Sequence, residues 1–76
     1  MPDKIQVTII GLSLLGASAG MALRRHADRV VVVGHDAIPE LSANARKIGA
    51  VEKTEWNLSS ATAGADRIIL IAEAFD

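Results

Sequence analysis

Apolar positions fall along the chain in runs that alternate between strand and helix patterns. Lys4–Ile10 (KIQVTII) is short, nearly continuously apolar and rich in β-branched residues, the pattern of a strand buried on both faces of a parallel sheet. A glycine-containing turn, Gly11–Gly16, follows. Beyond it the spacing predicts a helix from about Leu14 to His26, whose small residues Ala17, Ala19, Gly20 and Ala22 let it lie close to whatever it packs on. Val30–Val33 is a run of valines and the clearest strand; Gly34-His35-Asp36 reads as the turn after it. Pro39 suits the first turn of a second helix, Pro39–Ile48, with Leu41, Ala45 and Ile48 as its apolar stripe and Gly49 in the capping position. Val51–Trp56 is a weak strand. Asn57 or Ser59 caps a short helix through Ala63, Gly64 ends it, and Ile68–Ala72 is a fourth, fully apolar strand. The order βαβαβαβ implies an α/β domain: a parallel sheet with right-handed crossovers and helices on both faces.

Composition limits what such a domain can do. Half of the 76 residues are hydrophobic, but 13 are alanines, only Trp56 and Phe75 are aromatic, and there is no cysteine. One small domain fits in this length, and a two-domain enzyme with its active site in a cleft does not. The expectation is a partial dinucleotide-type domain over residues 1–76, without a substrate domain, belonging to a longer enzyme or a reduced relative. A net charge of −1 from eight dispersed basic and nine acidic residues argues against nucleic-acid binding. Ile5–Leu23 carries no charge over 19 residues, long enough for a membrane span or an export signal. Its β-branched start and its dilution by Gly11, Ser13, Gly16, Ser18 and Gly20 favour a strand and a helix instead, and so a cytoplasmic protein without a membrane partner.

The chemistry lies in Gly11-Leu12-Ser13-Leu14-Leu15-Gly16, which matches the dinucleotide fingerprint G-x-G-x-x-G except at its second glycine. Gly11 permits the tight strand-to-helix turn. The position of Ser13 normally lets the backbone approach a pyrophosphate. Gly16 allows the helix to pack on the strand, and the amides of Leu14, Leu15 and Gly16 at the helix start face the phosphate charge. Asp36 stands 20 residues after Gly16, at the end of the second strand, where a carboxylate accepts hydrogen bonds from the adenosine ribose. It repels a 2′-phosphate, and Ala37 and Ile38 supply no base to receive one, so the expected cofactor is NAD rather than NADP. Ser13 leaves two readings open: its Cβ crowds the phosphate, or its hydroxyl donates to a phosphate oxygen. Leu15 excludes a G-x-S-x-G nucleophile elbow.

These residues are similar to a known family. VTIIGLSLLGASAGMALRR, VVVVGHD and KIGAVEKTEWNLSSATAGADRIILIAEA together resemble the N-terminal NAD-binding domain of the prephenate dehydrogenase (TyrA) family, from about Val7 to Ala72. The resemblance implies a truncated Rossmann-type fold with strand order 3-2-1-4. It also implies NAD as cofactor, and oxidative decarboxylation of prephenate or arogenate on the route to tyrosine. It places Ala72 at the end of the fourth strand, bordering the nicotinamide side, and makes Gly20 part of the small-residue helix face. Ser13 departs from the family's glycine. Glu73 stands where the family has valine or proline, which changes the charge near the nicotinamide. The family's catalytic histidine has no counterpart here, so no catalytic residue is assigned and the chain alone is expected to be inactive.

The remaining candidates carry less. His35 flanks the adenine or is a partly exposed turn residue, and His26 sits near the end of the first helix, where the helix dipole favours a cation, and reads as structural. Two isolated histidines do not make a metal site. Trp56 is a packing anchor, or lies exposed at an interface. Asp66 and Arg67 begin the fourth strand at the solvent rim. With order 3-2-1-4, Ile68–Ala72 is an apolar edge without a partner, which predicts a homo-oligomer formed through that edge. Two other functions remain open: a non-catalytic nucleotide-binding or self-association module, and the NAD-binding half of another β-hydroxyacid dehydrogenase.

Overall fold

The chain's computed structural model describes residues 4–72. Four strands, β1 (Ile5–Ile10), β2 (Val30–His35), β3 (Lys53–Thr54) and β4 (Arg67–Leu70), form one parallel sheet in the order β3-β2-β1-β4. The crossovers carry α1 (Leu14–Arg24), α2 (Pro39–Lys47) and α3 (Leu58–Thr62). Element order, strand order and parallel pairing are those expected. The uncharged stretch from Ile5 to Leu23 divides into β1, the turn and α1, and no helix among the described residues is long and apolar enough to cross a membrane.

Strand pleating distributes the apolar residues between two layers. Val7, Ile9, Val30 and Val32 face one side and pack in a buried cluster with Ala17 of α1 and Ala45 of α2. Thr8 and Val33, paired in register, face the other side. There the buried Thr8 hydroxyl donates to the carbonyl of Ala61 in α3 at 2.8 Å. A hydroxyl at the centre of a buried strand is tolerated because it has this partner. Close approach of backbone to backbone explains the small residues of α1. A Cβ at Gly20 would run into the carbonyl of Ala50, and one at Gly16 into the carbonyl of Gly11.

Helix ends follow their local chemistry. Asn57 Oδ1 accepts from the Ser60 amide at 2.7 Å, so Asn57, not Ser59, caps α3. At the end of α2, Gly49 has φ +81°, its amide donates to Arg46 O, and the Ala50 amide donates to Ala45 O. That 5→2 and 6→1 pair closes the helix on a left-handed residue and turns the chain into β3. Arg24, the last residue of α1, ties this turn down: its Nε donates to Gly49 O at 3.2 Å and its Nη1 lies 2.7 Å from Glu52 Oε1. The pair is about one-third exposed, so it contributes at most about 1 kcal/mol.

Several boundaries differ from expectation. α1 stops at Arg24, and His26 lies in the following turn, where its carbonyl accepts from Arg29 and Val30. β2 extends through Gly34 and His35, which were expected in a turn, because Ile9 and Ile10 of β1 continue the ladder beside them. β3 shrinks from the expected Val51–Trp56 to two residues: Val51 leaves the sheet plane to fill the core, and Trp56 stands 85% exposed. β4 ends at Leu70 rather than Ala72, although the Ile71 amide still donates to Ile10 O.

Candidate functional site

The carboxyl ends of β1, β2 and β4 meet at the glycine turn. Gly11 has φ +103°, a conformation side chains disfavour, and its amide donates to His35 O at 2.8 Å, which holds the turn against the end of β2. A Cβ on Gly11 would also lie 2.9 Å from Ile71 O, and one on Gly16 would lie 3.5 Å from Ile71 Cγ1 beside the Gly11 carbonyl. Both glycines are thus required by contact, independently of any ligand. Ser13 takes the N-cap position of α1 in extended backbone, and its carbonyl receives the first helical bond from Ala17. Leu14, Leu15 and Gly16 form the first turn, where amides have no intrahelical carbonyl to bind. The Leu14 and Leu15 side chains stand 85% and 62% exposed.

Asp36 closes the site from β2. Its Oδ2 accepts from the Leu12 amide at 2.7 Å and its Oδ1 from the Ile38 amide at 2.8 Å. One carboxylate therefore fixes both the glycine turn and the start of the β2–α2 connection. Each oxygen keeps a further lone pair, and the side chain is only part-buried, so two more donors can be accepted. The sequence pattern gives no sign of the bond to Leu12, 24 residues away. Leu12 itself is buried, its methyls filling the space over Gly34.

A small crevice of about 220 Å³ opens here, lined by Ile10, Gly11, His35, Asp36, Ala37, Leu58 and Ile71. His35 is not a partly exposed turn residue. It is buried at the end of β2, and its Nδ1 donates to Glu55 O at 2.8 Å, bracing the segment after β3. Ala72 stands exposed just past β4, while Ile71 is the residue that presses on the glycine turn. Ile71 and Leu12 are contributors that the motif could not disclose. The expected role of Glu73 falls outside the described residues. Trp56 is not a packing anchor; it stands in solvent at the far side of Asp36.

The structure thus brings Gly11, Ser13, Leu14, Leu15, Gly16 and Asp36 to one end of the sheet, with Ala72 at its β4 side. Such an arrangement suits an extended ligand that has an anionic centre over the start of α1 and hydroxyls at Asp36. Asp66 acts elsewhere. Its Oδ2 accepts from the Gln6 amide at 2.7 Å and its own amide donates to Gln6 O, which starts β4 beside β1 at the solvent rim, as expected.

No family model matches the chain, and neither does any curated protein sequence. Solved structures do resemble it. Prephenate dehydrogenase from A. aeolicus, in complex with hydroxyphenyl propionate and NAD+, superposes with a TM-score of 0.77 at 23% identity over 91% of this chain. The WlbA dehydrogenase from Chromobacterium violaceum, in complex with NADH and UDP-GlcNAcA, superposes with a TM-score of 0.73 at 23% identity over 93% of it. The chain covers 24% and 21% of those proteins, so it spans under a quarter of their length. The likeness establishes the fold, the Rossmann-type fold found in dehydrogenases.

Proposed function

We propose that this chain is the NAD-binding portion of a prephenate or arogenate dehydrogenase-like oxidoreductase. The observation that carries the reading is the Asp36 carboxylate gripping the Leu12 amide. It sets a ribose acceptor and a phosphate-binding turn in one rigid unit at the carboxyl ends of β1 and β2. In this reading the amides of Leu14, Leu15 and Gly16 and the start of α1 receive the pyrophosphate, and Ser13 lies against it. Asp36 takes the adenosine ribose hydroxyls with its remaining lone pairs, and Ala72 borders the nicotinamide side. A carboxylate already committed to two backbone donors repels a 2′-phosphate and cannot swing away from it, which favours NAD over NADP. Both solved relatives were crystallised with an NAD-type dinucleotide, which supports the same cofactor.

Bound NAD supplies a hydride acceptor, and the chain's own residues bind and orient it. None of them is assigned a catalytic role. The tyrosine-pathway substrate and a cytoplasmic location rest on the sequence resemblance. The comparable fit of a sugar-nucleotide dehydrogenase favours, as a second reading, the NAD-binding half of a dehydrogenase for another substrate. As a further partner we propose a second copy, docked along the β4 edge. Ile68 and Leu70 stand 53% and 69% exposed on this strand, which pairs with β1 on one side and ends the sheet on the other.

Calorimetric titration of the chain with NAD and with NADP tests the reading. Saturable NAD binding that NADP does not match, abolished by Asp36→Ala, is the expected result. Absence of NAD binding at millimolar concentration sinks it and leaves a scaffold.

A further inference from the structure

On the far side of Asp36 from the glycine turn lies a second and larger concavity, a groove of about 800 Å³ between α2 and the β3 segment. One wall is a single face of α2, presenting Ser42, Arg46 and Lys47 at helical spacing. The other is Thr54, Glu55 and Trp56. Its volume falls in the range of small-molecule sites. The charges in it are not equivalent. Glu55 Oε2 lies 3.3 Å from Lys53 Nζ, while Asp36, whose oxygens accept from the Leu12 and Ile38 amides, keeps its charge. Arg46 and Lys47 have no ion pair among the described residues, so with Glu55 paired to Lys53 the lining offers a ligand two cations against the one Asp36 carboxylate. Facing them, Trp56 stands 85% exposed, a large apolar ring held in solvent with no packing role in this fold.

We propose that this groove is a binding site for a small ligand with a planar ring bearing an anionic group. The ring stacks on the Trp56 indole, and the anion is held by Arg46 and Lys47. An indole face and a guanidinium together recognise flat, electron-rich rings, and two cations adjacent in sequence on one helix suit a phosphate or a carboxylate. The groove borders the dinucleotide site at Asp36, but neither the glycine turn nor a ribose takes part in this inference.

Trp56 is the sole tryptophan and there is no tyrosine, so the chain carries its own reporter at the site. The test is a fluorescence titration with phenyl phosphate and, separately, with benzoate, using inorganic phosphate as the ringless control. Saturable quenching or a blue shift with either aryl anion, absent with inorganic phosphate, is expected, and the probe that binds more tightly identifies the anion. The paired substitution R46Q/K47Q, both at exposed positions, should weaken that binding by about tenfold or more while leaving the circular dichroism unchanged. Trp56→Leu, followed by calorimetry, should weaken it comparably. The proposal is overturned if neither probe binds, if inorganic phosphate gives the same response, or if binding survives R46Q/K47Q. Phenyl phosphate offers Asp36 no ribose, so its failure would leave the NAD reading standing, and failure of NAD would leave this one standing.

Discussion

Asp36 and Gly16 show how much of this protein rests on single contacts. Removing the Asp36 carboxylate leaves the Leu12 amide without its acceptor in a part-buried loop, an expected cost of about 1–3 kcal/mol. Asp36→Asn should therefore lower the thermal midpoint as well as weaken NAD, since an amide keeps one acceptor oxygen for two backbone donors. For a domain of this size about 1 kcal/mol corresponds to roughly 4–8 °C in a melting experiment. An unchanged melting point would show that the bond to Leu12 carries no weight. Gly16→Ala poses a different problem. The added methyl meets the Gly11 carbonyl, a backbone atom that cannot rotate away, so the turn must open. Destabilisation of about 1–3 kcal/mol is expected in urea unfolding even without cofactor. A variant that loses NAD binding at wild-type stability would mean that the glycine serves the phosphate alone. Both residues were legible in the sequence as members of a spaced motif. What spacing could not disclose is that they also hold the apo fold, because the partners, Leu12 N and Gly11 O, are backbone atoms.

Among the elements, α3 depends most on its cap. Five residues are too few for intrinsic helix stability, since nucleation alone costs more than so few bonds return. The Asn57 cap and the buried Thr8–Ala61 hydrogen bond hold it on the sheet. Asn57→Ala should cost about 1 kcal/mol. It should also raise amide exchange selectively in residues 58–62, readable by hydrogen-exchange mass spectrometry; uniform exchange across the chain would show that α3 unfolds only with the whole domain. Element type was readable throughout from period and punctuation, down to the Gly49 cap. Boundaries were not. β2 runs two residues past its valines because β1 offers it a ladder, and β3 stops short because Val51 gains more by entering the core than by pairing at an edge.

The whole molecule is a sheet with unequal edges. β3 ends it with two residues, whereas β4 presents four, with Ile68 and Leu70 apolar and exposed, as a template for another strand. Pairing of two β4 strands would be antiparallel by symmetry. The 76-residue chain should therefore sediment as a dimer at high micromolar concentration. Leu70→Lys should return it to a monomer. A monomer at every concentration would dispose of the β4 interface.

The chain's order of apolar runs, its glycines and its one well-spaced carboxylate determined the α/β class and the residues of the candidate site, because those signals are local: periodicity, turn chemistry and a fixed distance along the chain. Tertiary structure alone decided that His35 is buried and braces Glu55 and that Ile71 seals the glycine turn. It also turned Trp56 outward into a groove shared with Arg46 and Lys47. Those outcomes depend on which strand ends meet across the sheet and on what covers them, and a one-dimensional pattern of polarity carries neither.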